Sequence, residues 1–173
     1  MIHFKEGVAR FNFRAASVLI HQEHVLIHRN IKDTFWALPG GRVEFFEHSH
    51  LTVVREFEEE LGWAVNAIRP LFYLENFFTY NDEPYHEISN IFLMGFADNT
   101  SPFVPEVDFY GIEQDTCLVF RWVPLSRISQ YDLKPAMIAK ALQQPLPSTL
   151  QFLTYSELSS TPESASAIKP YTT

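Results

Sequence analysis

The stretch Gly40–Trp63 reads GGRVEFFEHSHLTVVREFEEELGW and carries six glutamates, four of them inside REFEEELG (Arg55–Gly62). Carboxylates this close repel one another, so either water or a cation must lie among them. From His48 to Leu61 the apolar residues Val53, Val54, Phe57 and Leu61 recur at offsets of one, three and four. At 100° per residue that keeps them in one arc of a helix, which is the side to be buried. Ser49 is the expected N-cap and Gly62 stands where a left-handed C-terminal cap is wanted. On the same wheel Glu56, Glu59 and Glu60 fall within about 100° of one another beside the apolar stripe, while Glu58 points elsewhere. Spacing alone equally describes a solvated acidic face on which Arg55 pairs with Glu59 at i,i+4.

Outward from this segment the chain alternates into strands. RAASVLIH (Arg14–His21) and HVLIHR (His24–Arg29) are short runs rich in Val, Ile and Leu, joined by Gln22-Glu23, and they read as a hairpin. FWAL ends at Pro39-Gly40-Gly41, where proline stops a ladder and glycine permits turns closed to other residues. VNAIRPLFYLENFFTY, HEISNIFLMGF and FRWVPL supply further strands, and KPAMIAKALQQ a second helix. From Pro145 the chain turns rich in Ser, Thr and Pro. This predicts a domain over residues 1–144 and a loosely packed tail over 145–173, in which LQFLTY is the segment able to dock.

Composition excludes several classes. A chain of 173 residues with 46% hydrophobic content can bury a core without disulfides. Its single cysteine, Cys117, forms no intramolecular disulfide and no Cys-rich zinc site; it reads as a small buried hydrophobe in a reducing compartment. No apolar run spans a bilayer and the N-terminus has no signal-like core, so the expected location is cytoplasmic, with no membrane partner. A net charge of -8 argues against a nucleic-acid polymer as partner. A polyanionic small molecule would then need a cation.

Read from Gly41, the chain gives Gly41, five residues, Glu47, seven residues, then Arg55-Glu56-Phe57-Glu58-Glu59-Glu60-Leu61-Gly62-Trp63. This resembles the Nudix box, Gly-x5-Glu-x7-Arg-Glu-U-x-Glu-Glu-x-Gly-U with U a bulky apolar residue, and every fixed residue type falls in place. At ordinary residue frequencies a chance match has odds on the order of one in a million. The resemblance implies a MutT-like α/β protein, an α/β/α sandwich with a mixed sheet. It also implies a hydrolase that cleaves a nucleoside diphosphate linked to another group X, with a small-molecule nucleotide-type substrate; a homodimer stays open. Glu56, Glu59 and Glu60 would hold Mg2+ or Mn2+, hard cations that take oxygen ligands. Glu47 would pair with Arg55 and orient the helix, and Gly40 and Gly41 would let the backbone turn at the substrate. Two departures stand out. Phe46 occupies the position before the first box glutamate where many members have glycine, which implies a loop of different shape, and Trp63 replaces an aliphatic residue.

Outside the box, Arg29 at a strand end is a candidate phosphate contact and Trp36 a candidate base-stacking residue. Glu113 is a candidate further metal ligand or base, with Asp115 as its rival; Glu75 and Glu87 are weaker candidates for the cleft. His86-Glu87 does not continue into a zinc-protease motif, since Asn90 stands at the second histidine position. Asn99-Thr100-Ser101 is formally a glycosylation acceptor. Tyr80 lies seventeen residues past Trp63, a spacing similar to that of dinucleoside polyphosphate hydrolases, while Phe78 and Thr79 stand where many ADP-ribose hydrolases carry proline. Three functions are carried: the metal-dependent hydrolase, a catalytically idle Nudix-like nucleotide-binding module, and a prenyl-diphosphate isomerase whose nucleophile would have to be Cys117.

Overall fold

The computed structural model describes residues 1–97, 102–113 and 117–158. Its elements run β1 (His3–Glu6), β2 (Ala9–His21), β3 (His24–Asn30), β4 (Trp36–Ala37), β5 (Gly40–Arg42), α1 (Ser49–Leu61), β6 (Val65–Tyr80), β7 (Glu83–Phe96), β8 (Phe109–Tyr110) and β9 (Leu118–Pro124). A 3-10 helix (Leu125–Gln130), β10 (Leu133–Lys134), α2 (Ala136–Leu142) and β11 (Gln151–Ser156) complete the described chain. The sheet is mixed, as expected: β2 runs parallel to β7, while β6 and β7 are antiparallel.

The expected hairpin closes at Gln22-Glu23, both at positive φ (46° and 61°), with His21 opposite His24. Two-residue hairpins need this left-handed pair so that the turn matches the strand twist. Asn81-Asp82 closes β6 onto β7 in the same way.

Pleat alternation builds the two faces. Along β2, Ala15 and Leu19 join one core cluster with Val53, Phe57 and Leu61 of α1, whereas Ala16 and Val18 join the other with Ile138, Ala139 and Leu142 of α2. Helices therefore cover both sides of the sheet, the α/β/α sandwich expected. Fully burying a side chain such as Phe57 is worth roughly 1.5–3 kcal/mol, and that stripe holds α1 in place. Gly62 ends α1 in the left-handed conformation (φ 68°).

Three local expectations are corrected. The N-cap of α1 is His48, which makes no side-chain cap bond; the Ser49 hydroxyl accepts a hydrogen bond from Asn90 Nδ2 at 2.9 Å instead. Cys117 is exposed, its carbonyl accepting from Ile31 N–H at 2.9 Å. Phe46 keeps the left-handed conformation that glycine would adopt (φ 65°), with its ring fully exposed. Such strain costs on the order of 1 kcal/mol, and the loop tolerates it because Glu47 N–H donates to the Glu44 carbonyl while Glu44 N–H donates back to Glu47 Oε2. Trp63, by contrast, packs as expected, stacked on Trp122 and Phe109.

Past residue 144, β11 joins the sheet as a parallel partner of β6, Leu153 opposite Leu74 and Tyr155 opposite Asn76. LQFLTY docks, and it becomes part of the sheet.

Candidate active site

The box glutamates converge on one arginine. Arg55 Nε donates to Glu47 Oε1 (2.8 Å) and Nη2 to Glu47 Oε2 (3.2 Å). Its Nη1 donates to Glu56 Oε1 (2.8 Å) and Glu59 Oε2 (2.9 Å), and Nη2 reaches the Arg42 carbonyl (3.3 Å). These contacts use the full guanidinium fork, which no lysine can reproduce. Glu47 also accepts from the Thr52 hydroxyl at 2.8 Å. The Arg55 bond, ahead of those from Glu44 N–H and Thr52, holds the Glu47 carboxyl at about 2.

Glu56 and Glu60 stand in the opposite electrostatic state. Burial, opposed by Arg55, raises the Glu56 carboxyl above its ordinary value. Glu60 is 7% exposed and is pushed up to about 8, by burial first and by the Glu56 charge second. Glu113 adds to that push, and its loop is tied to the end of α1 by Ile112 N–H donating to the Glu60 carbonyl at 2.7 Å. Its expected rival, Asp115, lies outside the described residues, as do the glycosylation triplet and most of the tail.

Gly41 is there to admit Glu56: a Cβ at position 41 would sit 2.1 Å from Glu56 Oε1. Gly40 has φ 145°, and its Cβ would sit 2.2 Å from the Ala15 carbonyl. Both glycines pair against β2, with Arg42 opposite Arg14.

A cavity of about 320 Å³ lies beside this cluster. Arg14 and Arg42 line it, and the Arg14 charge also bears on Glu56, Glu60 and buried Glu87. Arg14 Nη2 donates to the Leu38 carbonyl at 3.0 Å and faces His28 Nε2 at 3.4 Å. The cavity floor holds Asn12, Asn76, Glu87 and Ser89; Phe35, Phe78, Tyr80 and Tyr85 form an aromatic wall.

Several sequence candidates fall elsewhere. Arg29 donates to the carbonyls of Ile31 and Asp33 and lies over the Trp36 ring at 5.1 Å. Trp36 is buried in the core, with Arg29 and Arg121 both packed on its ring. Neither lines the cavity, because both are consumed by packing around β4. Glu75 pairs with His86 at 2.8 Å, whereas Glu87 and Tyr80 do reach the cavity. Asn12, Arg14, Arg42 and Asn76 were not legible as site residues. A charged residue opening an otherwise apolar strand, as Arg14 does in RAASVLI, is the signal that was there.

An all-oxygen set of glutamates suits a hard divalent cation, and a cation would oppose the burial, and behind it the carboxylate repulsion, that raises Glu56 and Glu60. Among the described residues, however, no three acidic or histidine side chains are gathered to hold one. Arg55 instead holds Glu56 and Glu59 together.

Glutamates of one helix thus stand beside an arginine-lined cavity on an α/β/α sandwich, the arrangement of a Nudix domain. The NUDIX domain model matches residues 11–144, and the chain belongs to the Nudix family. Its members use divalent metal ions and act on small nucleotide-type molecules. No curated protein sequence matches the chain. A solved UDP-X diphosphatase is similar in fold at 17% identity over 82% of this chain and 66% of that one, with a TM-score of 0.54. The present chain thus spans just under two thirds of that neighbour. A mutator MutT protein from Bacillus halodurans is similar at 14% identity, over 84% of this chain and 91% of that one (TM-score 0.56). An ADP-ribose pyrophosphatase from Streptococcus suis is similar at 14% identity, over 83% and 98% (TM-score 0.52).

Proposed function

We propose that the protein is a Mg2+- or Mn2+-dependent hydrolase that cleaves the diphosphate of a nucleoside diphosphate linked to a group X. The observation that carries this reading is Arg14, which lines the cavity and whose charge also reaches Glu56 and Glu60. A substrate with its ring in the cavity would lay its phosphates past Arg14 and Arg42 toward Glu56, Glu59 and Glu60. Those three would hold the cation, with Glu113 as a further ligand or base. When bound, the cation neutralises phosphate charge and acidifies the attacking water. Glu47 and Arg55 position the helix and keep the Glu56 and Glu59 carboxylates oriented. The exposed, unpaired Cys117 fits a reducing cytoplasm.

A second reading, the catalytically idle nucleotide-binding module, is favoured by the hold of Arg55 on Glu56 and Glu59, which competes with a cation for the same oxygens. Phosphate release over a panel of nucleotides with Mg2+ or Mn2+ separates the two. The hydrolase reading expects turnover that falls by 10²-fold or more in Glu59→Gln and Glu60→Gln, on the order of a lost metal contribution. Wild-type rates in both variants, or no turnover of any nucleotide by the folded protein, would sink it.

A further inference from the structure

Among the described residues β1, β5, β8, β10 and β11 each pair on one side only. An open edge presents unpaired N–H and C=O groups to any other strand, and proteins guard such edges with short strands, charges or proline. β5, β8 and β10 are two or three residues long, and β1 (HFKE) carries Lys5 and Glu6. β11 has none of these guards. Its sequence, QFLTYS, is six residues long without a charge, a proline or a glycine, and it lies beyond the matched domain.

The groups on that edge can be assigned. Glu157 N–H donates to the Phe77 carbonyl at 2.8 Å. Backbone groups alternate along a strand, so Leu153 and Tyr155 also turn theirs to β6, while Phe152, Thr154 and Ser156 turn theirs outward. Side chains alternate with them. Leu153 and Tyr155 pack on the core cluster that α2 covers, whereas Phe152 lies on the other face against Tyr73 at 5.4 Å and is 75% exposed. Leu150 and Leu158, just outside the two ends of the strand, are exposed as well. We propose that this edge pairs antiparallel with β11 of a second copy of the chain, about a two-fold axis at Thr154.

A two-fold interface has to complement itself, and this register does. Thr154 exchanges both backbone bonds with Thr154 of the second copy, and Phe152 exchanges them with Ser156. Leu150 then falls opposite Leu158, so the exposed leucines at the two ends cover each other. On the other face Leu153 meets Tyr155 and Gln151 meets Glu157. A register centred on Leu153 instead sets both leucines against serines, Ser156 and Ser148. Charge points the same way: a chain of net charge -8 meets its copy along an uncharged strand, and the carboxylate next to it, Glu157, faces an amide that can donate to it. Glu157 also lines the cavity and pairs with Lys134. Pairing therefore brings Gln151 of the second copy to the rim of the cavity.

The assembly is independent of the hydrolase reading, and size exclusion with light scattering of the full chain tests it. One strand pair is a small interface, so the dissociation constant should be on the order of 10 μM. At about ten times that concentration the wild type should show twice the mass of the chain. Thr154→Pro removes an outward N–H and no bond to β6, so it should give a monomer with unchanged circular dichroism. Cross-linking reads the register. In a Cys117→Ser background, which removes the single native cysteine, Thr154→Cys should form a disulfide-linked dimer on mild oxidation, since directly opposed Cα atoms lie about 5.5 Å apart. Phe152→Cys should not, because its counterpart lies about 14 Å away along the strands. If Thr154→Pro fails to fold, the cross-links decide. A wild type that stays monomeric, which would leave the edge to some other extended segment, overturns the proposal. So does a dimer that persists in folded Thr154→Pro, or a Phe152→Cys variant that cross-links as readily as Thr154→Cys.

Discussion

Substituting Glu60 by glutamine should change how stability depends on pH, and the size of the change can be worked from the site. In the metal-free protein the unfolded chain releases this proton near 4.5, while the folded chain keeps it to about 8. Below 4.5 both states hold the proton and stability is complete. Between 4.5 and 8 the folded state binds more protons, so stability falls as pH rises, and above 8 it levels off. His28 runs the other way: burial first, and Arg14 second, bring its imidazole down from 6.5 to about 3, so stability rises with pH up to 6.5. The two slopes offset each other between 4.5 and 6.5. From 6.5 to 8 Glu60 acts without that opposition, and 1.5 pH units at about 1.36 kcal/mol each gives a loss of about 2 kcal/mol. Glu47, held at about 2, titrates below this window. Glu56 and Glu87 are also raised and steepen the fall, but they do so in both proteins. Urea denaturation of wild type and Glu60→Gln in EDTA, from pH 5 to 9, isolates the difference. The variant should gain about 2 kcal/mol on wild type between pH 6.5 and 8. Curves that stay parallel within about 0.5 kcal/mol across that interval would refute the reasoning.

Millimolar Mg2+ or Mn2+ should raise the melting temperature of the wild type by mass action and move Glu56→Gln much less; a melting curve indifferent to metal in both would leave the glutamates a solvated face. Gly41→Ala should cost 10-fold or more in kcat/KM, because its Cβ would lie 2.1 Å from Glu56 Oε1 and displace that carboxylate; unchanged kinetics would show that Glu56 is not held where the structure has it. Arg55→Lys and Glu47→Gln should each lose roughly 10-fold to 100-fold in rate while still binding metal, and the double variant should be about as poor as the worse single. Losses that multiply in the double variant would mean the pair does not act as a unit.

The helix of the box and its glycine ends were legible because their determinants are local, and the pairing of Glu47 with Arg55 was implied by the resemblance to the Nudix box. Val53, Phe57 and Leu61 face the sheet for the same reason that Glu56, Glu59 and Glu60 share a face: a 3.6-residue period sorts them whatever the chain does elsewhere. The two-residue hairpin at Gln22-Glu23 was readable too, since strand length and turn position set its register; the one at Asn81-Asp82 was not read, because the strand after it begins at Glu83 rather than His86. The floor of the cavity was not, because its members are partners only in space. Asn12 meets Glu87 across 75 residues and Arg42 across 30, and no periodicity connects such positions. Arg29 and Trp36 show the converse: side chains of the right chemistry near the right strand are spent on packing once two guanidiniums lie against the ring. The polar tail segment became a strand because β6 offered it an edge. Local sequence sets which residues can share one face of an element; only the stacking of elements sets which faces enclose a cavity, because that depends on the shapes and charges of chain segments far apart in sequence.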